Sequence, residues 1–332
     1  MKNKRLVIFI TLLLIYFLVS GITLVASAQG ELKLALVLPG SINDGGWNAA
    51  AYNALQGLKS SGNVSEIAFA EKVAQADIET NIRDFAAKGY DIVFGHGFQF
   101  GDPISAVAPD FPDTYFFIIN GAVFGDNYAS LKFANWETDY IIGILAGKLT
   151  KTNKLGAVAA FEIPSLVRPL SAFKAGAKSV NDEVEVYATF IGSWSDINKA
   201  NEAALALADQ GCDIIHVNCD AAAHGAYEGC KEAGVYAIGN TADQNSLAPD
   251  TIITSSLRNV SKLFELALDI VQSNKFAGVV YEFGLKDGAT DFSSFHGLDN
   301  MVPQEVKDLM NKTKKDIIEG TIIVPTIDQW EK

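Results

Sequence analysis

Short, continuous apolar runs alternate along this chain with stretches in which apolar residues recur every three or four positions. The run Leu34 to Leu38 has the character of a strand buried on both faces of a parallel sheet. After the polar loop 39–46, apolar side chains return at Trp47, Ala50, Ala51, Ala54, Leu55 and Leu58, which is helical spacing. The same alternation predicts strands near 66–70, 92–95, 115–120 and 131–133, with helices around 78–88 and 139–149. Further on it predicts strands near 156–160, 185–189, 214–217 and 235–238, with helices over 167–180, 197–210 and 222–233. Strands alternating with helices mean βαβ crossovers and parallel sheets.

The pattern is also stated twice. In 31–97, Asp77-Ile78 opens a helix that runs into Gly89-Tyr-Asp-Ile-Val93; in 154–220, Asp196-Ile197 opens a helix that runs into Gly211-Cys-Asp-Ile-Ile215. Two similar α/β halves predict two lobes with a ligand cleft between them. The pattern continues with a strand at 251–256 and a helix at 260–272, whose return towards the first lobe, with the C-terminal segment going back to the second, is implied only by the family resemblance given below.

Lys2, Lys4 and Arg5 precede the apolar run 6–26, and Ala26-Ser-Ala28 supplies a signal-peptidase pattern, so residues 1–28 read as an export signal. The run also suffices to span a bilayer, which makes an uncleaved anchor the rival reading. Either way the bulk of the protein is expected outside the cytoplasmic membrane. No cysteine lies near the cleavage point, so no lipid anchor is expected there.

About 300 residues then remain, enough for two domains at ordinary domain size. The 26 Lys and Arg against 39 Asp and Glu give a formal charge of −13. Losing the three leader cations makes the balance more negative still, which argues against nucleic acid or anionic lipid as partner. Cys212, Cys219 and Cys230 fit no zinc spacing and read as small buried hydrophobes, with a Cys219–Cys230 disulfide as the alternative.

In open parallel sheets, ligands bind beyond the carboxyl ends of the strands. The first such loop holds Asn43, Asp44, Trp47 and Asn48, hydrogen-bonding groups beside an aromatic that suits a planar polar ring; a helix cap with a packing indole is the plainer alternative. Trp194, in the loop Gly192-Ser-Trp-Ser-Asp196, is its counterpart in the second half, and two facing indoles would sandwich a ring. Gly97 and Phe98 follow a strand in a GxGxxxG run, one residue too long for a dinucleotide fingerprint, so no nucleotide cofactor is expected. Asn135, Glu137, Asn218, Asp220, Asn240, Asp243 and Arg258 complete the strand-end candidates.

The chain has no GxSxG elbow and no HExxH, and its four histidines are scattered, so no enzyme is expected. His216, inside an apolar strand, reads as a core histidine, while His96 and His224 keep hydrolysis or phosphorolysis of nucleosides as a minor alternative.

Several ordered segments resemble the basic membrane protein family of ABC-transporter substrate-binding proteins, which is similar to bacterial purine nucleoside receptors. They are Ala35 to Asn48, Gly143-Ile-Leu-Ala-Gly147, Ile163-Pro-Ser-Leu-Val167 leading to Phe173-Lys-Ala-Gly-Ala177, Gly192 to Asp196, Ile238-Gly239 with Asp243-Gln244, and Ile317 to Pro325. The resemblance covers essentially the whole chain after the leader. It implies a type I periplasmic-binding-protein fold: two Rossmann-like lobes with parallel sheets, joined by a three-strand hinge, and divided as 29–150 plus about 257–277 and 151–256 plus about 278–332. It implies a purine-like ligand, an ABC permease as membrane partner, no cofactor and no nucleic acid, and lobe closure needs only one copy of the chain.

By position, Trp47 and Trp194 match the family's ring-stacking phenylalanines and Asn48 its base-contacting asparagine. Asn240 stands where nucleoside binders carry aspartate, Arg258 where they carry lysine, and Pro39 where many carry a further aspartate. Those departures touch the ribose-holding positions, which brings a free base level with a nucleoside as the expected ligand. A ligand-sensing ectodomain of the same fold is the alternative of a different class.

Overall fold

The computed structural model describes residues 32–330 except Gly45 and Asn63; the expected leader lies outside the described residues. Two six-stranded sheets organise the chain. The first carries β1 (Leu32–Val37), β2 (Val64–Ala70), β3 (Ile92–Gly95), β4 (Tyr115–Ile119) and β5 (Tyr128–Phe133), with α1 (Trp47–Ser60), α2 (Ile78–Ala87) and α3 (Gly101–Val107) in the connections. Helix α4 (Asn135–Leu149) follows, then β6 (Lys154–Ala159), α5 (Pro164–Val180), β7 (Glu185–Phe190), α6 (Ile197–Asp209), β8 (Ile214–Asn218), α7 (Ala223–Ala233), β9 (Tyr236–Thr241) and β10 (Ile252–Arg258). The remainder is α8 (Val260–Gln272), β11 (Val280–Phe283), β12 (Thr290–Phe292) and α9 (Gln304–Ile318).

Strand order is β11-β5-β4-β3-β1-β2 in one sheet and β12-β10-β9-β8-β6-β7 in the other. Every pairing is parallel except β10 with β12. The apolar runs explain the layering. In β1, Leu34 and Leu36 face a core shared with α1 and α8, while the alternate residues Ala35 and Val37 face α2 and α3. In β8, Ile215 and Val217 pack beneath α6 and α7, and Ile214 faces α4 and α5. Two such sheets, each covered on both faces, are the two-lobed α/β fold that was expected.

The division of the chain between the lobes differs from the expected boundaries. Helix α4 packs against α5 of the second lobe rather than staying with the first. Strand β10 remains in the second sheet between β9 and β12, so the return begins with α8, whose Phe264 stacks on Phe94 of β3 at 4.1 Å. Strand β11 joins β5 in the first sheet before β12 goes back to the second. Periodicity makes a strand or a helix but does not say which sheet receives it; that choice is made by long-range contact. For α4 the contact is specific. A Cβ at Gly143 or Gly176 would overlap the carbonyl oxygen of Phe173 or Tyr140, so glycine alone allows α4 and α5 to lie this close.

Candidate functional site

The chain passes between the lobes after β5, after β10 and after β11, and the carboxyl ends of both sets of strands face a common cleft. A cavity of about 480 Å³ lies there, within the size range of small-molecule sites. The first lobe contributes Pro39, Gly40, Trp47 and Asn48 from the β1–α1 region, Gly97, Phe98 and Gln99 after β3, and Asn120 after β4. Across from them stand Trp194 after β7, Asn218 and Asp220 after β8, Thr241 at the end of β9 and Arg258 at the end of β10. A narrower annex of about 260 Å³ shares Phe98, Asn120 and Arg258 with the cleft and continues past Phe133, Asn135 and Trp136 towards the hinge.

Both tryptophans therefore reach one space. One face of the Trp47 indole is occupied by His96, with ring centroids 4.0 Å apart and planes 22° from parallel, and its edge is braced by Phe133. His96 Nε2 also lies 3.0 Å from the Trp47 carbonyl oxygen. Burial lowers the His96 pKa to about 3, against the partial support of that carbonyl and the distant Asp44, so the imidazole is neutral at physiological pH. It serves as a rigid backing for the indole rather than as an acid or base. Trp194 is more exposed, tilted against Phe161, and its carbonyl accepts from Ala222 N–H at 3.0 Å, tying its loop to that of Asp220.

Asn48 is buried; its Oδ1 accepts from Gly40 N–H (3.2 Å) and its Nδ2 donates to Asp44 (2.7 Å). Asn135, oriented by its neighbours, donates to the Phe133 carbonyl (3.1 Å) and accepts from Arg258 Nη2 (3.2 Å). Asn120, Asp220 and Thr241 all have positive φ, at 58°, 52° and 74°. This conformation costs about 1–3 kcal/mol per non-glycine residue, and for the β-branched Thr241 it is a genuine outlier. Three such turns at strand ends bend the chain so that backbone and side chains line the cleft; Gly97, at 145°, does the same without a side chain to strain.

Five expected contacts are not among the walls of the cavity. Asp44 caps α1, accepting from the N–H groups of Gly46, Asn48 and Ala49 at 2.9 Å each; burial raises its pKa, but these bonds outweigh it and hold the pKa below the usual range. Asn43 is exposed on the same turn. Glu137 accepts from Leu285 N–H (2.8 Å) and so clamps the last hinge crossing, its pKa raised by burial and by Asp287 and Glu282. Asn240 lies behind the wall, its N–H donating to Gln244 and its Oδ1 accepting from Thr241. Asp243 pairs with His296 at 2.8 Å. A polar residue after a strand satisfies backbone as readily as it faces a ligand, and sequence alone did not separate the two. Conversely Gln75, Gln99, Asn120 and Thr241 are wall residues that pattern reading passed over, although Asn120 closes an expected strand.

Asp220 is the cavity's acidic wall. It reaches so far across that a Cβ at Gly46, on the first lobe, would lie 3.2 Å from its Oδ1. Burial and the facing Asp44 carboxylate push its pKa up to about 6, with Arg258 opposing. A carboxyl that holds its proton more tightly folded than unfolded loses stability as pH rises from about 4 to about 6. Asp220→Asn is therefore expected to gain stability over the parent at pH 7.5 and to lose most of that advantage as pH falls to about 4, measured by thermal unfolding at both values.

The remaining chemistry is structural. His216 is buried in the second lobe, as expected, with Nε2 2.6 Å from Asp139 Oδ1. His224 is exposed and outside the cavity. The cysteines are free and buried, with pKa values raised mainly by burial to about 11 for Cys212 and about 12 for Cys219 and Cys230. Among the described residues no cluster of His, Cys, Asp and Glu suits a metal ion, and no helix is long and apolar enough to cross a membrane.

Comparison with known proteins agrees with this architecture. The profile of a family described as "ABC transporter substrate-binding protein PnrA-like" matches residues 31–328. The ABC transporter nucleoside-binding protein BmpA of Lactococcus lactis is 29% identical over 89% of this chain and 90% of its own length. A purine-binding protein of Brucella abortus is 30% identical over 90% of this chain and 84% of its own. A putative ABC transporter glucose-binding protein of Haloferax volcanii is likewise 30% identical, over 90% and 75%. Among solved structures, an ABC transporter solute-binding protein from Aeropyrum pernix superposes with a TM-score of 0.76 at 23% identity over 89% of this chain and 94% of that one. A transcriptional activator of the comK gene from Bacillus halodurans superposes at 0.77 with 27% identity, over 88% and 99%.

Proposed function

The chain belongs to the PnrA-like family of ABC-transporter substrate-binding proteins, and from that premise we propose that it captures a flat, purine-like solute between Trp47 and Trp194 and presents it to a membrane permease. Proteins of this family bind and deliver rather than catalyse, and they work outside the cytoplasm. The observation that carries the ligand reading is that both indoles line one cavity from opposite lobes, with the Trp47 ring already backed by His96. A ring entering beside Trp47 extends an existing aromatic stack, at about 0.5–1.5 kcal/mol per pair beyond area burial. Amide side chains at Gln75, Gln99, Asn120 and Asn218 offer both donors and acceptors around it.

A base is favoured over a nucleoside by the same walls. Pro39 presents no hydrogen-bonding side chain and Asn240 carries an amide, so neither position supplies a carboxylate to ribose hydroxyls. Titration calorimetry of adenine, hypoxanthine, xanthine, guanine, their nucleosides and D-glucose tests the reading. Binding of at least one purine with glucose silent supports it; glucose binding with every purine silent overturns it.

A further inference from the structure

We propose that Arg258 makes this site selective for oxopurines, whose ring carbonyls accept hydrogen bonds, over the aminopurine adenine; the inference rests on the purine reading above. Arg258 ends β10 inside the second lobe, borders both the cleft and its annex, and has its Nε buried without a hydrogen-bond partner. One end of its guanidinium is fixed, because Nη2 donates to the Asn135 amide. No carboxylate lies within ion-pair distance of it among the described residues. The acids that support its charge do not pair with it: Asp139 accepts from His216 and from Ser256 at 3.0 Å, and Asp220, on the loop after β8 of the same lobe, lies beyond ion-pair distance.

A donor buried without a partner is costly, and here the space from which an acceptor would reach the partly buried guanidinium is the ligand cavity itself. Burial disfavours its charge, which Asp139 and Asp220 support only from a distance. A neutral amide or hydroxyl lining would have received any heterocycle. A fixed, planar, donor-only fork instead selects a ring edge that presents oxygen, and rejects an edge presenting an amino group, because two donors would then face each other. The Pro39 and Asn240 positions supply no carboxylate, which leaves Asp220, on the same lobe as the cation, as the cavity's carboxylate. Hypoxanthine, guanine and xanthine carry both kinds of edge, a carbonyl for Arg258 and ring N–H groups for the acceptors opposite.

The test compares hypoxanthine and xanthine with adenine on the intact protein, by calorimetry, and repeats the comparison in Arg258→Met and Arg258→Lys. The parent is expected to bind the oxopurines at least about tenfold more tightly than adenine. Arg258→Met is expected to weaken the oxopurines by about 10- to 100-fold while leaving adenine within a few-fold, and Arg258→Lys to fall between. Adenine binding as tightly as hypoxanthine to the parent overturns the selectivity and leaves the purine site standing. Equal loss of all three in both variants likewise makes Arg258 structural. If no purine binds the parent at all, the purine reading fails and takes this inference with it. Should Arg258→Met not fold, the parent's own selectivity decides.

Discussion

Replacing Trp47 by alanine is expected to raise the Kd for the captured ring by about 30- to 1,000-fold, corresponding to about 2–4 kcal/mol. The size follows from where the indole sits. It is held on one face by His96 and at its edge by Phe133, so its conformational entropy is already spent before ligand arrives. Its carbonyl is held as well, through His96 Nε2. Trp194 is less constrained, with 38% of its surface exposed and a single tilted aromatic neighbour. Trp194→Ala is expected to cost about tenfold, because part of its binding contribution is offset by the cost of ordering it. Calorimetry on both variants, with circular dichroism to confirm the fold, measures the difference; equal affinity for parent and Trp47→Ala rejects the stacked geometry.

The largest effect on stability is expected at Asp139. Its carboxylate has no solvent exposure and accepts from His216 Nε2 at 2.6 Å and Ser256 Oγ at 3.0 Å, joining α4 to β8 and β10. It is also the buried acid that supports the charge on Arg258. Asp139→Ala removes one acceptor, leaves two buried donors without it and withdraws part of the distant support for the Arg258 charge, which is expected to cost about 3–5 kcal/mol. Asp139→Asn keeps an oxygen of the same shape and is expected to lose less. Denaturant unfolding of the three proteins at pH 7 checks the order. The parent and Asp139→Ala unfolding at the same midpoint would show that the network contributes nothing.

The network also explains what could and could not be read from the residues alone. Continuous apolar runs such as Leu34 to Leu38 were legible because a strand buried on both faces has no polar positions to spare. Helix α4 was legible as a helix but not as a member of the second lobe. Its allegiance rests on Asp139 meeting His216, 77 positions away, and on Gly143 facing Phe173, and neither contact has a local signature. The two segments Gly143 to Gly147 and Phe173 to Ala177, noted separately as family-like, are the two sides of one close helix contact.

The site divides in the same way. Trp47, Trp194, Gly97, Phe98, Asp220 and Arg258, which line the cavity, were legible as strand-end candidates from residue type and position. Asp44 and Glu137 were not separable from them, since a carboxylate that caps a helix or clamps a hinge carries the same sequence signal as one that meets a solute. Asn120 and Thr241 went unread because their role comes from positive φ, which no residue type apart from glycine announces. The annex was invisible for a related reason: its walls come from both lobes and the hinge, and they meet only in the folded chain.

In the reading proposed above, the two lobes grip one flat ring between Trp47 and Trp194. A crystal structure of the protein grown with hypoxanthine is the decisive measurement. The ring is expected to lie parallel to the Trp47 indole on the face opposite His96, with Trp194 covering its other side and a ring oxygen on Arg258. Hypoxanthine bound outside this cavity, or held by one lobe with the second indole turned away, would contradict it.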